Sequence, residues 1–442
     1  MSKTSPAPEV SPLAEEPAEF TGDASGLSSK GLIDDEKPSA RRDSDRTGSI
    51  LAGYSVLTKS MLGSGLFFMA YACAKFGIIA AGIMIFVAGA VTWVSLRALS
   101  ELAIEFKSDD PSFYSISMRI IPGLKWAIDI AVILSCFGAA TGYVITAGDL
   151  LSKGLINIIK WDSKSFSVDS TKIVIQSIMI LSLAGLGFMR EISGTKYANL
   201  FGLTSLFYIV VTTFVYSDMS MASPDLLYME NFLSAMGTFP TFIFAFACQM
   251  NVFQIANELK NPTVKRMDVI TMSSTLTGLI IYLPIMIFPV LTFGKDVSEN
   301  YLNSLDSHKI PVQIAYILAA LSVSISYVLQ IHPLRRSILS MYYRDRKPGA
   351  AEERRNRIIV VSIVMLATFG VAVGVRKIDI VTNFTGLLGG NTMGFVMPSL
   401  LYLRYYGIRR NVFSIMVACV LVFSLLLYPL CLTGIIYDIV KT

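Results

Sequence analysis

The chain has 442 residues, of which 53% are hydrophobic and only 16% are charged, against about 25% charged residues in soluble proteins. This composition and a mean hydropathy of +0.59 exclude an ordinary soluble domain. We assign the net charge of +5 to basic loops between membrane spans rather than to nucleic-acid binding, and two histidines are too few for a multi-histidine metal site.

The first 47 residues differ from the rest of the chain. Residues 1–47 are rich in Ser, Pro, Glu, Asp and Lys and contain almost no aromatic residues. Such a segment cannot bury enough apolar surface to become ordered, so we expect a disordered tail. It lacks the basic start and apolar core of a secretory signal, and we therefore expect the N-terminus to lie in the cytosol.

After the tail, the sequence contains about eleven apolar runs of roughly 18–26 residues, each long enough for a helix to cross about 30 Å of hydrocarbon. The weakest of them is 172–189, which is short. Basic residues are concentrated in the loops on the side of the predicted tail, which supports a cytosolic N-terminus, and an odd number of spans puts the C-terminus outside. The predicted spans are 51–73, 77–100, 126–151, 172–189, 197–217, 235–256, 268–293, 310–333, 357–375, 379–403 and 411–436.

The first span is interrupted at its middle by Gly63, Ser64 and Gly65. Lipid offers no partners to the backbone, so a broken helix is tolerated only where it lines a cavity enclosed by protein. The freed N–H and C=O groups can then hold a substrate, as they do in transporters built from inverted repeats. Alternatively, the two glycines allow a neighbouring helix to pack closely.

An inverted repeat divides the chain naturally. Five spans are an odd number, so a second set of five enters the membrane from the opposite side. We expect repeats at 48–217 and 218–404, followed by an additional helix and a short external C-terminus at 405–442. The sixth span should then be broken like the first. It has Pro240 near its start and polar Gln249 deep in an apolar run, but no glycine follows Gly237 within the span.

Four segments of the sequence resemble the amino acid/auxin permease family. Their order along the chain matches the first, sixth, eighth and tenth helices of that family, and the resemblance covers spans one to ten. It implies an all-α polytopic membrane protein with the leucine-transporter-like 5+5 inverted-repeat fold, in which helices 1 and 6 are broken. The segments are GSGLFFMAYACAKFGI (63–78), FAFACQMNVFQIANELKNPT (244–263), IHPLR (331–335) and NFTGLLGGNTMGFVMPSLLYLRYY (383–406).

The resemblance also implies a function. A member of this family is a secondary active transporter of amino acids and not an enzyme, and it requires no cofactor other than a coupling ion. The partners are then a small-molecule amino acid and the lipid bilayer. The sequence leaves open the oligomeric state, the choice of amino acid, and whether the membrane is the plasma membrane or a vacuolar or lysosomal one. An amino-acid sensor that signals through the tail is the alternative.

In such folds the amides freed in helix 1 hold the substrate carboxylate, because the N-terminus of a half-helix is electropositive. We assign this role to Leu62, Gly63, Ser64, Gly65 and Leu66. The substrate's ammonium group would be held by carbonyls of the same break and by the second break. The second-break residues are Phe244, Ala245, Phe246, Ala247 and Cys248.

Three further side chains are candidates by position. Tyr143 in the third span matches a place where the family often has tyrosine, and its hydroxyl could close the carboxylate site or simply be packed in the bundle. Glu258 ends the sixth helix, where it could form a gating ion pair or merely terminate the helix. Gln249 stands where many relatives have histidine, so a titrating group is replaced by a neutral amide.

The coupling ion is suggested by Lys59 and Ser326. Sodium-coupled relatives carry asparagine four residues before the first glycine of the break and a hydroxyl nine residues before the arginine that ends helix 8. Here these positions are Lys59 and Ser326. An ammonium group would repel sodium, and proton-coupled and vacuolar branches are similar in having lysine there. Lysine loses its charge when desolvated, which would favour proton coupling over sodium coupling. Alternatively, Lys59 extends to the cytosolic membrane surface.

Overall fold

The structure is a computed structural model that describes residues 46, 48–107, 111–159, 168–188, 195–343, 346, 348–375, 378–408 and 411–441. The predicted tail, residues 1–47, lies outside these ranges except for Arg46. The chain separates into units 1–39 and 40–442, and only the second contains described residues.

The described chain is built of helices. Its sixteen α-helices are α1 Ile50–Met61, α2 Gly65–Phe76, α3 Ile78–Glu105, α4 Phe113–Ile120, α5 Lys125–Ile159, α6 Val168–Phe188, α7 Thr195–Val215, α8 Phe232–Thr238, α9 Pro240–Ala245, α10 Val252–Glu258, α11 Val264–Phe293, α12 Ile310–Tyr343, α13 Ala350–Gly374, α14 Ile378–Phe384, α15 Met397–Tyr406 and α16 Val412–Lys441. Two π-helical segments, Thr385–Gly390 and Thr392–Val396, join α14 to α15. The longest connections between described α-helices lie between α7 and α8 and between α11 and α12.

These helices account for all the predicted spans. Within the described ranges, seven helical runs are long and apolar enough to cross a membrane, and α1 with α2 makes an eighth span that is bent by 51°. The other three predicted spans correspond to α6, to α7 and to the run from α14 through α15. The weakest prediction, 172–189, is the helix α6. The all-α fold with broken helices 1 and 6 is confirmed.

The boundary between α2 and α3 shows why the chain turns where it does. Gly77 has φ of 74°, in the left-handed region that favours glycine. A β-carbon there would also lie 2.7 Å from the carbonyl oxygen of Tyr228. A glycine is therefore required both by the backbone conformation and by the close approach of the neighbouring loop.

The broken helices pack against a long helix and against each other. Helices α1 and α2 pack against α11, and α2 also packs against α9 of the second broken helix. Helix α5 packs along α12. Tyr143 on α5 contacts the first break, so α5 brings this second packing unit to the site.

Candidate substrate and ion site

The first break begins at the end of α1, where the regular backbone hydrogen bonds of the helix stop. The N–H of Leu62 still donates to the Thr58 carbonyl at 2.8 Å, and the N–H of Gly63 turns back to the Met61 carbonyl at 2.8 Å. Helix α2 restarts at Gly65. Among the described residues, no acceptor meets the N–H groups of residues 64 and 65, as expected for the first residues of a helix. These two donors are available to an anion.

The second break lies between α9, which ends at Ala245, and α10, which begins at Val252. A single 3₁₀ turn interrupts the gap, and the N–H of Cys248 donates to the side-chain oxygen of Gln249 at 2.9 Å. Proline at position 240 starts α9, but the chain unwinds here without any glycine. An amide side chain stabilises the unwound backbone by accepting one of its free N–H groups.

The five carbonyls assigned to the ammonium group differ in their surroundings. The Cys248 carbonyl accepts the N–H of Asn251 at 3.1 Å. The Phe244 carbonyl accepts the N–H of Ala247 at 3.2 Å, and the Ala245 carbonyl accepts the Tyr282 hydroxyl at 2.8 Å. The carbonyls of Phe246 and Ala247 accept no hydrogen bond from a described residue. The free acceptors of the second break are thus a subset of those that the sequence suggested.

Tyr143 is buried beside the first break. Its hydroxyl lies close to the side chains of Ser64 and Gln330. The same hydroxyl would lie 3.7 Å from a β-carbon built on Gly63. Sequence reasoning selected Tyr143 for this place but missed Gln330, which comes from α12 and carries no motif of its own.

Lys59 and Ser326 line one small cavity together with the first break. The cavity has a volume of about 10 Å³, and its wall includes Gly63, Ser64 and Ser322. The Ser326 hydroxyl donates to the Ser322 carbonyl at 3.0 Å. Its oxygen therefore keeps lone pairs available to a further donor or cation.

The side chain of Lys59 crosses the surface of α7 at Gly202. A β-carbon at Gly202 would overlap the Cε atom of Lys59 and lie 2.9 Å from its Nζ atom. Within the described residues, the ammonium group has no ion pair or hydrogen bond. Sequence reasoning missed Gly202, because only the fold shows that its missing side chain makes room for the lysine.

The site is closed in this conformation. A cavity of about 10 Å³ is the size of about one water molecule and far smaller than an amino acid. A larger groove of about 310 Å³ lies between α7 and α11, lined largely by apolar residues such as Phe214 and Phe288. It contains none of the predicted site residues. An amino acid can therefore enter only if the helices around the break separate.

Glu258 does not form the ion pair that a gate would require. Its carboxylate accepts a hydrogen bond from Gln254 at 3.1 Å, and it is exposed at the end of α10. Its backbone carbonyl accepts the N–H of Gly48 at 2.8 Å. In the described part of the chain Glu258 has no basic partner in this conformation, and its role as a gate stays a prediction.

Tyr282 is a further residue of the site that sequence reasoning missed. The Tyr282 hydroxyl on α11 approaches the carbonyl of Met61 at 2.5 Å and that of Ala245 at 2.8 Å, one from each break. A lone tyrosine in an apolar span gives no sequence signal for such a contact, because its partners are 221 and 37 residues away.

Two interrupted helices that face each other inside a membrane bundle are typical of secondary transporters. Residues 46–437 match the family described as transmembrane amino acid transporter protein, and the chain belongs to this family. The prediction from the sequence motifs is thereby confirmed, including the conclusion that the protein is a transporter and not an enzyme.

Individual relatives agree with this assignment. Vacuolar amino acid transporter 5 of Schizosaccharomyces pombe is 24% identical over 346 residues, covering 78% of this chain and 82% of that protein. Sodium-coupled neutral amino acid transporter 7 of Danio rerio is 24% identical over 424 residues, covering 91% and 90%. The crystal structure of MhsT in complex with L-phenylalanine has a similar fold, with a TM-score of 0.59, 12% identity and coverage of 88% of this chain and 99% of that one.

Proposed function

We propose that this protein is a secondary active transporter that moves amino acids by alternating access, independently of sodium and coupled to protons. The observation that carries the proposal is the shared cavity of Lys59 and Ser326 at the first break. A charge that links transport to a gradient must contact both the substrate-binding helix and the helices that move against it. The ammonium group of Lys59 can supply such a charge, so no bound metal ion is needed.

The unpaired backbone groups suit the two charged ends of an amino acid. The N–H groups of Ser64 and Gly65 begin a helix and favour a carboxylate. The carbonyls of Phe246 and Ala247 favour an ammonium group, because carbonyls at an unwound helix coordinate cations. Tyr143 closes the carboxylate side with its hydroxyl. These groups recognise the part that all amino acids share, whichever side chain the substrate carries.

Proton coupling follows from the chemistry of lysine at this place. While Lys59 is protonated, its charge disfavours a sodium ion in the same cavity. When it is deprotonated, its neutral amine alters the contacts that Ser322 and Ser326 can make. The relative from Danio rerio is named as sodium-coupled and the one from Schizosaccharomyces pombe as vacuolar, so relatives of both kinds occur. Lys59 is the reason for choosing protons here.

We further propose a vacuolar or lysosomal membrane, with the N-terminus in the cytosol. The relative named as vacuolar supports this location. The two proposed repeats are 48–217 and 218–404, and the additional helix of 405–442 would end on the side of that membrane away from the cytosol.

Counterflow in proteoliposomes tests the function. Purified protein is reconstituted, vesicles are loaded with a panel of unlabelled amino acids, and uptake of a labelled one is measured at an acidic and a neutral pH, with and without sodium. We expect uptake that depends on pH and not on sodium. Binding without uptake would contradict transport, and uptake that requires sodium would contradict proton coupling.

A further inference from the structure

The hydroxyl of Tyr282 contacts a backbone carbonyl of each broken helix. Tyr282 is fully buried on α11. Its hydroxyl approaches the Met61 carbonyl, the last of α1, at 2.5 Å and the Ala245 carbonyl, the last of α9, at 2.8 Å. The ring packs edge-on against Phe246, with centroids 5.2 Å apart, so its direction is fixed by the second break itself.

The two carbonyls depend on this hydroxyl to different degrees. Met61 also accepts the N–H of Gly63 at 2.8 Å, so its carbonyl keeps a partner without Tyr282. The Ala245 carbonyl receives no other donor among the described residues. A buried carbonyl left without a partner is costly in an apolar surrounding, so the second break relies on Tyr282 more than the first does.

Carbonyls that converge from two unwound helices are the groups with which transporters bind cations. Here they converge on an O–H group, which supplies a hydrogen to share between them. The connection therefore needs no bound ion. It also joins the end of α1 to the end of α9, which flank the backbone groups proposed to bind the two ends of the substrate.

We propose that Tyr282 is a positioning residue that fixes the second break against the first and thereby sets the substrate-binding geometry. Tyr282 does not act through Lys59, the proposed coupling residue. It acts on the substrate through the backbone of Ala245 to Ala247. The transport part of this inference rests on the proposed function, but the structural part can be measured without any transport.

The test compares Tyr282→Phe with the matched control Tyr316→Phe. Tyr316 is also fully buried, and its hydroxyl approaches the carbonyls of Leu302 at 3.0 Å and Leu305 at 3.2 Å, away from both breaks. Both substitutions remove one hydroxyl and retain the ring, so a general loss of stability is common to both.

The first readout is the alkylation of Cys248 by a small thiol reagent, followed by mass spectrometry in the absence of substrate. Cys248 is buried in the unwound segment, and Cys419, the exposed cysteine, is replaced by serine in all variants. We expect Tyr282→Phe to accelerate alkylation of Cys248 about tenfold, the effect of losing one buried hydrogen bond, and Tyr316→Phe to leave it unchanged. Equal rates in the two variants would overturn the proposal, whatever the transport result.

The second readout is the KM and kcat of amino-acid uptake in proteoliposomes. We expect Tyr282→Phe to raise KM about tenfold while kcat stays within about twofold, because binding geometry is lost rather than the coupling group. An unchanged or lower KM would overturn the proposal. If the unsubstituted protein itself shows no uptake, the proposed function fails, and the alkylation rates still decide the role of Tyr282.

Discussion

Gly65 and Ala245 touch backbone to backbone, one at the start of α2 and the other at the end of α9. A β-carbon built on Gly65 would lie 2.6 Å from the Ala245 Cα and 2.9 Å from its Cβ. Real β-carbons are essentially never this close to another atom. The two breaks therefore meet at a position that only glycine can occupy, which supports close packing as one reason for this glycine.

This contact predicts that the two glycines of the first break differ in tolerance. Gly65→Ala should displace the end of α9, destabilise the protein by about 1–3 kcal/mol as overpacking does, and abolish amino-acid uptake. Gly63→Ala is the matched control, because a β-carbon there meets its nearest atoms at 3.6 and 3.7 Å, which is ordinary contact. Thermal unfolding and proteoliposome uptake are measured for both.

We expect Gly63→Ala to unfold at the same temperature as the unsubstituted protein, because its β-carbon makes only ordinary contacts. Equal destabilisation in the two variants would show that the steric argument does not distinguish the glycines.

Tyr143 makes a second prediction, which concerns affinity. Tyr143→Phe removes the hydroxyl that lies beside Ser64 and Gln330 at the first break, and we expect KM for the amino acid to rise about fivefold to tenfold. Tyr327→Phe is the control, since the buried Tyr327 hydroxyl bonds to the Thr368 hydroxyl at 3.1 Å and has no described contact with either break. Uptake is measured against substrate concentration. A rise in KM of the same size in both variants would assign Tyr143 a purely structural role.

The first break could be predicted from the sequence for a local reason. Gly63 and Gly65 weaken a helix at a depth where lipid cannot satisfy the backbone, so the pattern itself carries the energetic cost. The second break has no such mark. Its unwound backbone is held by Gln249 from within the segment and by Tyr282 from another helix, and the first of these looks in the sequence like any polar residue in a span.

Residues whose role depends on a partner far away in the sequence could not be predicted from the sequence. Gly202 matters because Lys59 crosses it, and Gln330 matters because Tyr143 points to it. Neither contact has a spacing that recurs along the chain. By contrast, Lys59 and Ser326 could be selected from the sequence. Each lies a fixed number of residues from a motif that resembles the family, and that spacing can be read without knowing any contact.

The exposed pair of Glu230 and Lys295 makes a prediction about pH. The hydrogen bond and charge of Lys295 hold the pKa of the Glu230 carboxyl below its usual value. A carboxyl with a lowered pKa in the folded state stabilises the protein above its unfolded pKa of about 4.3, and this stabilisation is lost as the pH falls through the folded value. The pair should therefore persist in mildly acidic solution.

We expect Glu230→Gln to lower the melting temperature slightly and equally at neutral pH and at about pH 5, and to have no effect once the pH is well below 4. Asp225→Asn is the control, an exposed carboxylate of the same loop for which the described structure contains no ion pair. A destabilisation by Glu230→Gln that grows as the pH falls would contradict the assigned sign.

Variants of Lys59 and of Gly202 can separate the effect of the lysine charge from the effect of its packing. Lys59→Met keeps an unbranched side chain one atom shorter and removes its charge, so we expect uptake that no longer depends on pH. Gly202→Ala keeps the charge but places a β-carbon where the lysine lies, and we expect it to reduce the pH dependence in the same direction. Gly142→Ala is the control, because a β-carbon there meets nothing within 4 Å. Uptake is measured at two pH values for each variant.

The double variant decides whether the two positions act as one. If Gly202 matters only because Lys59 crosses it, adding Gly202→Ala to Lys59→Met should cost no further uptake, since methionine is flexible enough to move aside. Two residues in direct contact are expected to be non-additive in this way. Fully additive losses would mean that Gly202 serves the packing of α7 independently, and full pH dependence in Lys59→Met would remove the lysine from the coupling mechanism.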